Sequence, residues 1–253
     1  MKLVLAVIFI LLAGSSNCQD LPSDSLILKT IFGKVEKVKG DFMFVRSFKE
    51  GEDYNSYPND IRYSVVFKER VHLKGQDIIF IVAGAPLFTL MGDHFEYRQM
   101  FFYKTDLLGQ LKLIKSIVSK EEVLVGERTE YQVVQIGKNA WGLMDTFHST
   151  GNKHYEQIKG ISLLQIGKIT GLLSVDTGYD NSAFISEVRD NEECQANCFE
   201  STFTIEKSEK EFYDVKVHRT DYKYTKGCKE KLIDKESDSI FIYEKGKYVE
   251  HKK

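Results

Sequence analysis

The segment from Asp145 to His154 (DTFHSTGNKH) concentrates a carboxylate, two imidazoles and several hydroxyls. A carboxylate three residues from an imidazole could orient it as a general base for hydrolysis. Asp145, His148 and His154 also supply the donor types of a metal site. Their spacing matches no established nucleophile or metal-ligand motif, so the three are candidate catalytic residues of a hydrolase, with no metal assigned. The plainer expectation is a polar hairpin loop after the strand that carries the only tryptophan, Trp141. Loops at strand ends are where sites collect.

Asp176-Thr177-Gly178 has the triplet of aspartic proteases, whose carboxylate must share a proton with a second one. The chain holds a single such triplet, and it reads as a loop after a strand. G-x-S-x-G, P-loop, G-x-G-x-x-G and H-E-x-x-H sequences are absent. That removes the commonest hydrolase, nucleotide and zinc-protease patterns and leaves no cofactor implied. His72 and His218 are expected at half-exposed sheet positions, and His251 in the solvated tail.

The cysteines are Cys18, Cys194, Cys198 and Cys228. A C-x-x-x-C pair without a neighbouring histidine is not a zinc pattern, and a structural disulfide is the expectation. Either Cys194 pairs with Cys198, or Cys228 pairs with one of them and clips the loop to the last hairpin; spacing does not choose. The aromatic cluster Phe95, Tyr97, Phe101, Phe102 and Tyr103 suits a core. A sugar- or lipid-binding face is the functional alternative.

The first residues read as an address. Met1-Lys2, the apolar run Leu3–Ala13 and the small polar residues up to Cys18 have the three-part layout of a secretory signal peptide over residues 1–18. The run is shorter than the roughly 20 residues that span a bilayer. Lipidation of Cys18 is the alternative, although Ser15 stands where bacterial lipoprotein signals carry leucine; a lipid would be the only membrane tether. The expected location is periplasmic, cell-surface or extracellular. In 253 residues the net charge is −2. That near balance argues against nucleic acid, which demands a cationic excess.

The elements that must position these residues read as β-strands. Ile61, Tyr63, Val65 and Phe67 alternate with polar residues, giving one apolar face broken only at Val66. Ile78–Val82 is continuously apolar and β-branched, as in a strand buried on both faces. Tyr213, Val215 and Val217 alternate again, and Ile240–Tyr243 is short and apolar. Lys74-Gly75, Lys245-Gly246 and the twice-used tetrapeptide Gln-Ile-Gly-Lys at 135–138 and 165–168 supply hairpin turns, with glycine at positive φ. Helical patterning is confined to Leu26–Val38, capped by Ser23 or Asp24, and to Glu121–Val125. The blocks 74–114 and 137–173 align as two copies of a strand–loop–strand–turn–strand unit, with His94 and His154 at equivalent places.

Lys138–Asp145 (KNAWGLMD) resembles one unit of the bacterial WG repeat, whose core reads roughly K-W-G-L-I-D; here Asn139-Ala140 stands between the lysine and the tryptophan. More loosely, the chain is similar in style to exported β-rich proteins of Gram-negative bacteria. Neither resemblance implies a catalytic residue. The expectation is a mainly β protein of antiparallel meander sheets. It would be one domain over residues 19–253, with pseudo-repeated halves at about 19–120 and 121–253 forming a barrel, sandwich or propeller-like body. Its expected role is non-catalytic binding or association with the cell envelope. The alternatives are the hydrolase and a lipid or small-ligand carrier.

Overall fold

A computed structural model describes residues 21–47, 56–57, 60–89, 94–106, 110–119, 128–149, 155–181, 194 and 196–252. Among the described residues the fold is mainly β, two antiparallel sheets with one short α-helix. Helix α1 spans Asp24–Phe32. Ser23 is its N-cap, the hydroxyl oxygen accepting from the Leu26 N–H at 3.3 Å. Such caps satisfy donors that the first helical turn leaves open. The helix stops well short of the expected Val38. Gly33 takes a left-handed φ of 79° and its N–H closes on the Lys29 carbonyl, the usual glycine-terminated ending. Ile27 and Leu28 are fully buried, and Lys68 donates to both the Pro22 carbonyl and Asp24, each at 2.8 Å, fixing the helix start to the sheet. The second expected helix, Glu121–Val125, lies outside the described residues.

The first sheet contains β1 (Glu36–Val38), β2 (Asp41–Ser47), β3 (Ser56–Tyr57), β4 (Asp60–Leu73), β5 (Gln76–Thr89), β6 (His94–Thr105) and β7 (Leu111–Ser119). Its order is β1-β2-β4-β5-β6-β7, with β3 pairing β5 off that path. Lys39-Gly40 and Lys74-Gly75 each hold two successive positive φ angles inside two-residue hairpins. That geometry matches the right-handed twist of the flanking strands.

β5 is central and buried on both sides. Ile79, Ile81, Ala83 and Ala85 face the helix with Phe101 and Tyr103 of β6. Ile78, Phe80 and Val82 face the second sheet with Met100 and Phe102. β4 serves both cores by another means. Its ladder with β5 shifts register between Val65 and Phe67, leaving Val66 as an extra, 40% exposed residue. A β-bulge of this kind reverses which face the following residues present. Ile61, Tyr63 and Val65 therefore pack toward the helix, and Phe67, Val71 and Leu73 toward the second sheet. The expected single apolar face is thus two half-faces, and the break at Val66 marks their boundary.

The second sheet runs in strict sequence order through β8 (Arg128–Gln135), β9 (Trp141–Ser149), β10 (Tyr155–Gln165), β11 (Lys168–Asp180), β12 (Cys198–Glu206), β13 (Asp214–Tyr224), β14 (Lys231–Glu244) and β15 (Lys247–Lys252). It is an eight-stranded meander. Only Gly178–Asp180 and Cys198–Glu200 join β11 to β12, so two four-stranded ladders meet at a narrow junction. Met144, Ile161 and Leu163 of the first ladder pack with Val215, Val217 and Tyr248 of the second. Val133, Leu143 and Leu164 pack against the first sheet. The body is sandwich-like. The blocks expected to repeat are both three-stranded meanders, β5–β7 and β9–β11.

Candidate functional site: a groove where four turns meet

The two Gln-Ile-Gly-Lys tetrapeptides fold differently, and the difference builds the site. At 165–168 a two-residue hairpin joins β10 to β11 with Gly167 at φ 77°. At 135–138 the chain makes a wider connection, in which Ile136 N–H donates to the Ala140 carbonyl at 3.0 Å. Gly137 is not at positive φ there. A Cβ on it would overlap the Glu211 carbonyl, so glycine serves close backbone approach instead. Tyr213 N–H donates to the Ile136 carbonyl at 2.8 Å, and Lys138 N–H to the Lys210 carbonyl at 3.3 Å. The β8–β9 and β12–β13 connections are docked together by their backbones.

A groove of about 360 Å³ opens beside this docking point. The β4–β5 hairpin contributes Leu73 and Lys74, and the β8–β9 connection Asn139 and Trp141. The β10–β11 turn adds Leu164, Gln165 and Ile166, and the β12–β13 connection Glu211 and Phe212. Two rigid aromatic side chains line it. Trp141 is half-buried against the inter-sheet core. The Phe212 ring stacks on Tyr243 with centroids 3.7 Å apart. Tyr243 in turn meets Tyr248 edge-on, and Tyr248 donates to the Tyr213 carbonyl at 2.9 Å. Burial holds the Tyr248 phenol up at about 12, with the Asp214 carboxylate and Tyr243 adding to it.

The polar lining is uncommitted. Among the described residues, the side chains of Lys74, Asn139, Gln165 and Glu211 hold no hydrogen bond or ion pair. One ammonium and one carboxylate leave the lining without net charge. Three residues of the segment resembling a WG unit, Asn139, Ala140 and Trp141, line the groove. Trp141 faces the groove and the inter-sheet core, while Gly142 lies against Ile136, where a Cβ would come 2.8 Å from Cγ2.

Of the residues singled out for chemistry, Asp145 and His148 lie elsewhere and do not face each other. Asp145 and His148 belong to the unbroken strand β9, not to a loop. Its ladders with β8 and β10 are regular, so residues three apart point to opposite faces. Asp145 stands over Gly160, where a Cβ would lie 2.6 Å from Oδ1. On the other face His148 Nδ1 lies 3.4 Å from both Tyr155 Oη and Gln157 Nε2. His154 lies outside the described residues. No carboxylate–imidazole pair forms from Asp145 and His148.

Asp176-Thr177-Gly178 is also strand, inside β11. Thr177 is the extra residue of a bulge opposite Gln157 and Ile158, and its buried hydroxyl donates to Gln157 Oε1 at 2.9 Å. Burial and the charge of Glu200 push the nearby Tyr155 phenol up, while its bond to Gln157 opposes them.

Cys194 and Cys228 stand at disulfide distance, their Cα atoms 5.1 Å apart. Of the pairings left open by the sequence, this one clips the segment before β12 to the turn Lys226–Cys228 ahead of β14. Cys198 stays outside it because it is the first rung of β12, paired to Asp180 and Tyr222. It is a buried thiol that burial pushes up, with the Asp180 carboxylate adding and Lys231 and Tyr224 opposing. Cys18 lies outside the described residues.

Of the aromatic cluster of β6, Phe101 and Tyr103 fill the core toward the helix with Tyr97 packed against it, and Phe102 fills the core toward the second sheet; the Phe95 side chain lies outside what is described. His72, His218 and His251 sit at exposed sheet positions, within 2.9, 2.8 and 2.8 Å of Asp77, Asp238 and Glu244. Among the described residues no three His, Cys, Asp or Glu side chains group as metal ligands, and no helix is long and apolar enough to cross a membrane. No protein-family model, curated protein or solved structure matches the chain.

Proposed function

We propose that the chain is an exported, non-catalytic binding protein that takes a small ligand in the groove at Trp141. The observation that carries this is the convergence of four turns, distant in sequence, on one concavity. It has rigid aromatic sides and four uncommitted polar side chains. Pockets for small molecules combine apolar walls with a few polar groups that orient the ligand, in volumes of about 300–1,000 Å³. The leader at residues 1–18 and the Cys194–Cys228 pair support export, since disulfides persist in oxidising compartments.

Trp141 is the only tryptophan, so indole emission comes from a ring that lines the groove. A compound library screened by that emission should yield ligands that shift it. The same ligands should bind Asn139→Ala and Gln165→Ala more weakly in calorimetry, with the circular dichroism of both variants unchanged. Ligands that bind but leave the emission and these variants unaffected would move the site elsewhere. Mass spectrometry of the exported protein tests the leader: an N-terminus at Gln19 supports cleavage after Cys18, a lipid-bearing Cys18 supports the tethered form, and an intact Met1 sinks export.

A further inference from the structure

We infer that the ligand of the groove is a neutral carbohydrate, one or two sugar rings of a glycan. This rests on the groove being the binding site, as proposed above, and adds the chemical class.

The lining selects by what it needs satisfied. Lys74 offers donors, Glu211 acceptors, and Asn139 and Gln165 both, and none of these side chains is engaged within the described chain. Covering a polar group without giving it a partner costs about 1–3 kcal/mol. An acyl chain would impose that penalty at several positions at once. A free amino acid carries one cation and one anion. It could answer Glu211 and Lys74 but would leave the two amides, which lie on different turns, unanswered. A sugar ring presents hydroxyls around its whole edge, each a donor and an acceptor, and can satisfy separated groups together.

The aromatics address the rest of the same ligand. A pyranose has a face of C–H groups, and flat aromatic surfaces held rigid suit such a face. Trp141 is fixed by the inter-sheet core and Phe212 by its stack on Tyr243. The opposite charges of Lys74 and Glu211 leave the lining no net charge, which favours an uncharged ligand over an anionic or cationic one. The volume of about 360 Å³ stands near the small end of the usual pocket range of about 300–1,000 Å³.

The experiment titrates the full-length exported protein, following Trp141 emission with calorimetry alongside. The probes are glucose, galactose, N-acetylglucosamine and their β-linked disaccharides, with leucine, lysine and decanoate as competing classes. At least one saccharide should shift the emission and bind. Asn139→Ala and Gln165→Ala should each weaken that binding about tenfold, the effect of one lost hydrogen bond of about 1.4 kcal/mol. Trp141→Phe should keep measurable binding by calorimetry, since a ring remains, while Trp141→Ala abolishes it. If leucine, lysine or decanoate shifts the emission and no saccharide does, the carbohydrate inference is overturned and the groove survives as a binding site. If no probe of any class binds, the inference falls and the groove reading loses its support with it. Saccharide binding unaffected by the amide variants also overturns the inference, because the hydroxyls would then be recognised elsewhere.

Discussion

At the scale of single residues, burial has set two groups apart from their ordinary chemistry. Tyr248 is 5% exposed, donates to the Tyr213 carbonyl, and holds its proton up to about 12. An unfolded tyrosine releases its proton near 10. Between those values the unfolded chain loses a proton that the folded chain keeps, so stability is complete below about 10 and falls as pH rises toward 12. Thermal melts across that window should show a steeper loss for the native chain than for Tyr248→Phe. At neutral pH the variant should be about 1–2 kcal/mol less stable, through the lost bond. An equal slope in both would remove Tyr248 as the source. Cys198 is the second case. Its thiolate is disfavoured by burial and by Asp180, and the thiolate is the reactive form. Iodoacetamide should modify Cys198 slowly in the native protein at neutral pH and promptly in denaturant, as mass spectrometry would report; rapid native labelling would contradict the burial. The pairing of Cys194 with Cys228 was not legible beforehand, because sequence spacing carries no information on which Cβ atoms approach. It became decidable once Cys198 was placed as a rung of β12.

At the scale of elements, one tetrapeptide shows how much a local pattern can say. Gln-Ile-Gly-Lys marks a turn in both places, and both turns exist. The pattern does not say why glycine is needed. At 165–168 it supplies positive φ, while at 135–138 it lets two connections touch. Gly167→Ala should cost roughly 1–2 kcal/mol, the strain of a left-handed alanine, and must also displace the Lys115 side chain, whose Cγ would lie 2.6 Å from the new Cβ, with Trp141 emission unchanged. Gly137→Ala must push the β12–β13 connection away. It should cost about 1–3 kcal/mol, as overpacking does, and also shift Trp141 emission, since Asn139 and Phe212 line the same groove. Equal spectra for the two variants would refute the distinction. Strands buried on both faces were legible from uninterrupted apolar runs, β5 above all. β9 was not. Its Asp145-Thr-Phe-His-Ser stretch is polar enough to imitate a loop, because Gly160 makes room for the Asp145 carboxylate and Tyr155 and Gln157 accompany His148.

At the scale of the whole molecule, the inter-sheet core packs residues of both sheets into one cluster. Phe80 has no exposure and packs with Phe102 at 5.2 Å in the cluster that also takes Leu143 and Leu164 from the second sheet. Phe80→Ala should remove about 3–5 kcal/mol. Its unfolding followed by Trp141 emission, which reports the second sheet, should coincide with that followed by far-ultraviolet dichroism. Separate transitions would mean that the sheets unfold independently. The antiparallel β character was legible from turns and strands, which are local, whereas the choice of a sandwich-like body among barrel, sandwich and propeller was not. The groove was not, because its lining comes from residues 73–74, 139–141, 163–166 and 211–212. Only the docking of two turns brings these together, and that docking depends on Gly137, whose role no spacing reveals.

The bulge at Val66 also decides which deletions the chain can survive. Val65 and Phe67 already face consecutive partners, Ala83 and Val82, so removing Val66 would leave β4 an ordinary strand with every inward side chain still inward. Removing Lys68, two positions on, would exchange inside for outside along one arm of the strand and break either the contacts to α1 or those to the second sheet. A chain lacking Val66 should fold with a modest loss of stability, and a chain lacking Lys68 should not fold, as dichroism would tell. In this strand, Val66 is the residue whose removal leaves both cores intact.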